Sequence, residues 1–168
     1  MYNEDFVNKL KDIAINYKTL YVMGCFGSPL NDLNKVRYTQ NHSYNKGYAR
    51  KKMIMSASND TFGFDCVGLI KGILWGWNGD TTKTYGGAKY GINNVPDINA
   101  NGMIKVCTDV TTDFKTIQPG EAVWLSGHIG IYVGNGDVIE CSPKWNNCVQ
   151  ITKLKDRTWK KHGRLPYV

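Results

Sequence analysis

The chain of 168 residues predicts an α+β fold in a single domain, with helices first and an antiparallel β-sheet after them. Apolar residues recur at helical spacing between Asp5 and Tyr17, and a more uniformly apolar helix is predicted for Asp65 to Trp75. From Gln118 onward, short apolar segments alternate with turn residues, which is typical of antiparallel strands. No repeat or low-complexity linker divides residues 1–168.

The two predicted helices differ in how much of their surface is apolar. The first is amphipathic, which indicates a surface helix, whereas the second is apolar on most sides and is predicted to be central. Residues 31–60 between them are polar and are predicted to form a long loop, with a helical turn near Ala49 to Ser56. Loops of this length usually form functional walls or lids.

Residues 81–101 are rich in Gly, Asn and Tyr and are predicted to form a second loop. A short helix or turn is expected at Asn99 to Val106. The strands predicted after it are Glu121–Leu125, His128–Val133, Asp137–Ser142, Cys148–Leu154 and a closing strand at Gly163–Val168.

The net charge of +7 favours polyanionic partners, such as nucleic acid, anionic lipid or the polymers of a bacterial wall. The basic residues are scattered and no nucleic-acid motif occurs, so nucleic acid is not the expected partner. No window approaches 18 apolar residues, and no membrane span is predicted. The first residues lack the basic-then-apolar order of a secretory signal. Retention inside the cell, export by another route and a trimmed signal all remain open.

The five cysteines form an odd set, so at least one must be free or pair with another chain. No Cys-x-x-Cys occurs and no histidine has ligand spacing to a thiol, so neither structural zinc nor another cofactor is expected. Cys141 and Cys148 flank a turn. A disulfide and two reduced thiols both fit that hairpin, and a reducing cytosol favours the thiols.

Cys66 is the first candidate for chemistry, because it lies where a polar loop gives way to the second predicted helix. A helix N-terminus stabilises negative charge and is expected to lower the pKa of a thiol there. The unpaired backbone amides of the first turn, including that of Cys66, could also hold an oxyanion.

His128 and Glu140 are the expected partners of Cys66. His128 enters a strand between glycines, whereas His42 lies in a polar loop and His162 in a basic tail. If the Gly134–Gly136 turn is a three-residue hairpin loop, alternation of side chains places His128 and Glu140 on one face of the sheet. A two-residue loop would separate them. A nucleophile, a base and an orienting group are the minimum set for acyl transfer through a thiolate.

Several segments together resemble the NlpC-type cysteine peptidases, which are papain-like bacterial murein hydrolases. The run from Phe64 to Ile70 is similar to their Asp-Cys-Ser-Gly-Leu-Val motif, and Gly127 to Gly136 to their His-Val-Gly-Ile-Tyr motif and turn. Residues 119–123 resemble the Pro-Gly-Asp-Leu-Val strand, and residues 21–24 the Tyr-x-x-Gly-Gly segment. The resemblance extends over nearly the whole chain.

This resemblance implies a papain-like NlpC-type fold in which residues 1–168 form one catalytic domain. It implies that Cys66 is the nucleophile, His128 the base and Glu140 the orienting residue. Tyr21 is implied as an oxyanion or substrate contact. Asp65 and Ser126, which flank the catalytic motifs, are further candidates for such contacts.

Two departures from the family pattern bear on the substrate. The third catalytic position, often histidine, is Glu140, as in the related CHAP amidases and peptidases. The residue after the nucleophile, commonly a serine that helps bind the stem peptide, is Val67. A hydrolase core without a signal resembles a phage endolysin, made in the host cytoplasm and then acting on the wall. A separate wall-binding module is either removed or absent in this interpretation.

The sequence therefore predicts a peptidoglycan endopeptidase that cleaves an amide in the stem peptide or cross-link. The alternatives are an N-acetylmuramoyl-L-alanine amidase with the same triad, and a non-catalytic protein that binds wall or nucleic acid.

Overall fold

The computed structural model describes residues 1–168 and confirms the predicted α+β class. The chain forms six α-helices and nine β-strands. The helices are α1 (Asn3–Asn16), α2 (Asp32–Asn41), α3 (Ser43–Lys46), α4 (Tyr48–Ser56), α5 (Cys66–Leu74) and α6 (Ala100–Val106). The strands are β1 (Thr19–Tyr21), β2 (Phe26–Pro29), β3 (Phe62–Phe64), β4 (Thr108–Thr111), β5 (Ala122–Leu125), β6 (His128–Gly134), β7 (Asp137–Ser142), β8 (Cys148–Lys153) and β9 (Lys161–Arg164).

The strands form two sheets. A six-stranded antiparallel sheet has the order β4-β9-β5-β6-β7-β8, and a small sheet has the order β1-β3-β2, in which β1 and β3 are parallel. The first four strands predicted after Gln118 are present, whereas the closing strand, predicted at Gly163–Val168, lies at Lys161–Arg164. The small sheet and β4 were not expected from the sequence, because their three- and four-residue strands are too short to show a period.

Helix α5 is the centre of the core. All nine of its residues are buried, and it packs against β2, β6 and β7. Helix α1 buries one face, formed by Phe6, Val7, Leu10 and Ile13, and contacts α5 and β8. Because truncation of a buried Leu or Ile costs about 2–5 kcal/mol, the position of α5 is strongly determined by its packing.

The helical turn predicted near Ala49 to Ser56 is confirmed as α4, but the prediction of a loop for the rest of residues 31–60 is wrong, because this insertion is mostly helical. It forms α2, α3 and α4, which pack on one another. Asn31 caps α2 by accepting a hydrogen bond from the amide of Asn34. The apolar positions are few because the insertion buries polar groups: the amide of Asn45, fully buried, donates to the carbonyl oxygens of Met23 and Tyr38. Hydrophobic periodicity cannot detect such a segment.

The β6–β7 hairpin has the side-chain parity that the sequence predicted, by a different route. Asn135 and Gly136, both with positive φ, make a two-residue turn closed by Gly134 opposite Asp137. The register then shifts by one residue, so that Ile131 lies opposite Ile139. The extra residue on β6, Val133, forms a β-bulge, which restores the parity that a two-residue loop alone would have reversed.

Cys141 and Cys148 are both free thiols, as are the other three cysteines. Cys141 lies opposite Val149, and Cys148 lies opposite Ser142. Because neighbouring positions on a strand point to opposite faces, the two sulfur atoms lie on different sides of the sheet and form no disulfide. No helix combines the length and apolar character that a membrane crossing needs.

Candidate active site

Cys66 is the first residue of α5, and only Asp65 separates it from the end of strand β3. Asp65 caps this helix: its Oδ1 accepts from the Gly68 amide at 2.6 Å and its Oδ2 from the Gly24 amide at 2.8 Å. The same carboxylate therefore fixes the helix start to the loop after β1. Asp65 was predicted as a substrate or oxyanion contact. The structure gives it this capping role, and a direct substrate contact stays a prediction.

Gly68 allows the start of α5 to approach its surroundings closely. A side chain built at this position would overlap the Cys25 carbonyl oxygen and lie 2.7 Å from Oδ1 of Asp65. The backbone at Gly68 is ordinary helix, so the need for glycine is one of space and not of φ. The position of the Cys66 thiol therefore depends on the absence of a side chain at Gly68.

Cys66 as a residue is 8% exposed. Burial first, and then the neighbouring Asp65 carboxylate, raise the pKa of this thiol to about 12. Backbone amides of Ile129, Val67 and Cys66 itself act in the opposite direction but do not outweigh the burial. The sequence-based expectation of a lowered pKa is therefore wrong in direction, because a helix N-terminus offsets only part of the desolvation of a buried thiolate. The contact with the Ile129 amide also places the sulfur beside the residue that follows His128.

His128 and Glu140 are joined directly. The Nε2 atom of His128 lies 2.8 Å from Oε1 of Glu140, on the face of the sheet that the parity argument predicted. Since one ring nitrogen is engaged with Glu140, the Nδ1 edge is the one left for the thiol. Side-chain exposure is 13% for His128 and 0% for Glu140, so the pair is shielded from water.

Glu140 receives three side-chain donors. Besides His128, Arg157 donates through Nε to Oε1 at 2.8 Å, and the Thr152 hydroxyl donates to Oε2 at 2.7 Å. Burial acts to raise the pKa of Glu140, but the hydrogen bonds from His128, Arg157 and Thr152 outweigh it and hold the pKa below its usual value. Glu140 is therefore an ionised acceptor that orients the imidazole.

Aromatic rings cover the histidine and the arginine. The indole of Trp159 stacks on the His128 ring, with centroids 5.5 Å apart and an interplanar angle of 17°. The Arg157 guanidinium lies 4.7 Å from the Trp145 ring centroid and 5.8 Å from that of Trp159. This layer restricts the motion of both side chains and excludes water from them.

Sequence reasoning missed Arg157, Thr152 and Trp159. Thr152 could have been found, because it lies on β8 diagonally from Glu140 and shares its face. Arg157 and Trp159 lie between β8 and β9, in a segment that carries five other lysines and arginines within residues 153–164. Nothing in the local sequence separates these two residues from an ordinary basic surface stretch.

Tyr21, predicted as an oxyanion or substrate contact, lies at the end of β1 beside the thiol. Burial, followed by the charges of Cys66 and Asp65, raises the pKa of its phenol. Arg50 of α4 donates to the Tyr21 carbonyl oxygen at 3.1 Å, and its guanidinium lies over the rings of Tyr21 and Tyr44. The helical insertion thus supplies a wall next to Tyr21. A contact of Tyr21 with the reacting group stays a prediction.

Ser126 occupies the exposed turn between β5 and β6, two residues before His128. It lines a surface groove of about 440 Å³ together with the basic residues Lys144, Arg157 and Lys160 and the acidic Asp156. The groove is therefore basic on balance, and one of its residues, Arg157, contacts Glu140. Its contact with substrate stays a prediction.

Of the other two histidines, His42 lines a pocket of about 320 Å³ with Asp65 and Gly24 at the start of α5, whereas His162 is held elsewhere on the sheet. His162 is buried and is held between the Glu121 carboxylate, at 3.1 Å, and the Asp113 carbonyl oxygen, at 2.8 Å. His42 stacks on Tyr38. No group of three or more His, Cys, Asp or Glu side chains has an arrangement suited to a metal ion.

A buried thiol at a capped helix N-terminus, beside a histidine oriented by a carboxylate, has the arrangement of a thiol hydrolase. The sequence agrees with this class, because the NlpC/P60 family model matches residues 40–166. The chain belongs to the NlpC/P60 family, which is typically one of cysteine peptidases related to peptidoglycan. A comparison with curated protein sequences finds no significant match.

Two solved structures support the fold, and a third is reported beside them. NlpC2 from Trichomonas vaginalis is 17% identical, with a TM-score of 0.53 over 97% of this chain and 46% of that protein. NlpC1 from the same organism is 16% identical, with a TM-score of 0.52 over 97% of this chain and 44% of that protein. The P60 domain of M. avium subspecies paratuberculosis antigen MAP1204 is 16% identical, with a TM-score of 0.49 over 98% and 97%. The chain thus spans a little under half of the two Trichomonas proteins.

Proposed function

We propose that this protein is a peptidoglycan hydrolase that uses Cys66, His128 and Glu140 to cleave an amide bond in the stem peptide or cross-link of a bacterial cell wall. The observation that carries the proposal is the 2.8 Å contact between His128 and the buried Glu140, next to a thiol at a helix N-terminus. This pairing orients one ring nitrogen toward the carboxylate and leaves the other for proton transfer.

The chemistry follows from these contacts. His128 takes the proton of the Cys66 thiol as the sulfur attacks the amide carbonyl carbon, and then gives that proton to the departing amine. Water hydrolyses the resulting thioester and restores the thiol. The amides of Cys66 and Val67, which lie near the sulfur, are placed to donate to the oxyanion. A thiol with a raised pKa fits this sequence, because the proton leaves together with the attack.

The substrate class rests on the family and on charge. The net charge of +7 and the basic groove at Ser126 are matched to an anionic wall polymer and to the carboxylates of its peptides. This attraction would weaken with added salt. Peptidoglycan is therefore the proposed partner, and nucleic acid and membrane are not.

The test is mass spectrometry of the muropeptides released from purified sacculi. We expect a new amino terminus within the stem peptide or cross-link, with Cys66→Ala releasing nothing. A new terminus at the bond between muramic acid and L-alanine would replace the endopeptidase assignment with an amidase. Equal release by Cys66→Ala would overturn the thiol mechanism. The absence of any release by the wild-type protein from walls of several chemotypes would indicate a non-catalytic binding protein.

A further inference from the structure

We propose that Arg50 of the helical insertion forms a carboxylate-binding subsite beside Cys66, which makes the enzyme select wall peptides with a free carboxylate near the cleaved amide. This subsite deepens the proposed function, on which it rests, because it names the chemical group that the site distinguishes. Arg50 belongs to none of the motifs that resemble the family, since it lies on α4, in the insertion between β2 and β3.

Arg50 lies one aromatic ring away from the nucleophile. Its guanidinium carbon is 5.7 Å from the centroid of the Tyr21 ring and 5.4 Å from that of Tyr44, and these two rings meet edge to face at 6.0 Å. Tyr21 is paired with Phe64 in the small sheet, and Phe64 precedes Cys66 by two residues. Because each extended residue spans at most about 3.3–3.6 Å, a peptide bound at Cys66 reaches Arg50 within a few residues of its scissile amide.

Hydrogen bonds fix the orientation of the Arg50 guanidinium. Its Nη1 donates to the Tyr21 carbonyl oxygen at 3.1 Å and to Oδ1 of Asn147, in the turn between β7 and β8. Asn147 is itself held, because its carbonyl oxygen accepts from the Tyr21 amide at 3.0 Å. The arginine is therefore oriented before a substrate binds, which lowers the entropic cost of binding.

The other edge of the guanidinium has no anionic partner. Arg50 takes part in none of the chain's salt bridges. Its Nη2 makes one long contact, 3.5 Å to the Tyr44 hydroxyl, and its Nε donates to no protein acceptor. These two nitrogen atoms form a planar fork that matches the two oxygens of a carboxylate. Tyr44 is 44% exposed, so a ligand can approach from this side.

The charge around Arg50 fits a single carboxylate. The side chains that it contacts, Tyr44 and Asn147, are uncharged, so one guanidinium balances one negative charge. Peptides of a bacterial wall carry such carboxylates beside their amide bonds. A carboxamide of the same size turns an NH₂ group toward one of the arginine donors, and it loses both the charge and one of the two hydrogen bonds.

The experiment compares two chemical forms of one substrate. Soluble muropeptides are prepared from purified sacculi, and the carboxylates of half of the preparation are converted to carboxamides with a carbodiimide in excess ammonia. The value of kcat/KM is measured on both forms by mass spectrometry of the products. We expect wild type to cleave the carboxylate form about tenfold or more faster, because hydrogen bonds to charged groups contribute enough for such a factor.

Variants connect this preference to one side chain. Arg50→Gln should bring the ratio of the two rates close to one, and Arg50→Lys, which keeps the charge without the fork, should keep only part of it. The matched control is Arg37→Gln, since Arg37 is also a half-buried arginine of the insertion that lies over a tyrosine ring, Tyr85. It should keep the wild-type ratio. A general loss of activity from loosened packing cancels in the ratio.

Three results would overturn the subsite while leaving the proposed function intact. They are equal or reversed rates of wild type on the two forms, a wild-type ratio in Arg50→Gln, and an equal loss of the ratio in Arg37→Gln, which would assign the preference to net charge. If Arg50→Gln does not fold by circular dichroism, an unchanged ratio in Arg50→Lys refutes the fork. Cleavage of neither form by wild type would refute the proposed function, and the subsite with it.

Discussion

Glu140 accepts hydrogen bonds from His128 and Arg157 on one and the same oxygen, Oε1, each at 2.8 Å. The carboxylate is thus shared between His128, the proposed base, and Arg157, whose guanidinium stays protonated. Thr152 occupies the other oxygen. This one buried carboxylate therefore orients the His128 ring.

The first prediction concerns the nucleophile. Cys66→Ala and Cys66→Ser should abolish hydrolysis, because neither a methyl group nor a weakly acidic alcohol can replace the thiol in this site. The measurement is the loss of turbidity of a susceptible cell suspension. Cys148→Ser is the matched control, since Cys148 is a half-buried thiol on β8 and should be dispensable. Full activity in Cys66→Ala would refute the mechanism.

The second prediction concerns the orienting carboxylate. Glu140→Gln should lower turnover by about 10²-fold or more, and by less than His128→Ala, because an orienting group usually contributes less than the base. Glu121→Gln provides the control, since Glu121 is also a buried carboxylate that contacts a histidine, His162, on the same sheet. Its effect should fall on thermal stability and not on turnover. Near-wild-type rates in Glu140→Gln would show that the third member of the triad lies elsewhere.

The third prediction concerns stability against pH. The pKa of Glu140 is lower in the folded protein than its ordinary value of about 4.5. The ionised carboxylate therefore stabilises the fold above about pH 4.5, and this contribution is lost as the pH falls through the folded pKa. Thermal melts from pH 7 down to pH 3 should show a steeper loss in wild type than in Glu140→Gln. Parallel curves would mean that Glu140 is not held in its ionised form.

The fourth prediction concerns the close approach at the start of α5. Gly68→Ala should lower the melting temperature and the activity together, because the new methyl group would meet the Cys25 carbonyl oxygen and the Asp65 carboxylate. Overpacking of this kind typically costs about 1–3 kcal/mol. Gly47→Ala is the control, since a Cβ there meets only the Tyr44 carbonyl oxygen at an ordinary 3.6 Å. Equal behaviour of the two variants would contradict the steric argument.

The fifth prediction concerns the reactivity of the wild-type thiol. With a pKa of about 12, Cys66 should be alkylated slowly at mildly acidic pH, and its rate should rise about tenfold for each pH unit from 7 to 9. Iodoacetamide labelling with peptide mapping measures this rate directly. A plateau already reached below pH 7 would indicate a preformed thiolate and a Cys66 pKa below its ordinary value.

The sequence by itself determined the class of the fold, the central helix and the residue types proposed for catalysis. The apolar run after Cys66 predicted a buried helix, and the alternation in residues 122–153 predicted a sheet. Strand parity predicted His128 and Glu140 on one face only for a three-residue loop, and the observed two-residue turn reaches the same parity through a bulge at Val133. These features are local or periodic, and periodicity is what a sequence displays.

Only the tertiary structure decided the electrostatics of the site. The pKa of Cys66 depends on burial and on Asp65, and burial is a property of the whole fold. Arg157 contacts Glu140, which lies 17 residues earlier in the chain, and Trp159 stacks on His128, which lies 31 residues earlier. No local sequence pattern predicts contacts over such separations. The helices of residues 32–56 likewise form around buried polar groups such as Asn45, for which hydrophobic spacing gives no signal. The sequence therefore predicts which residue types form the site, whereas the pKa values of Cys66 and Glu140 depend on the residues that surround them in the folded protein.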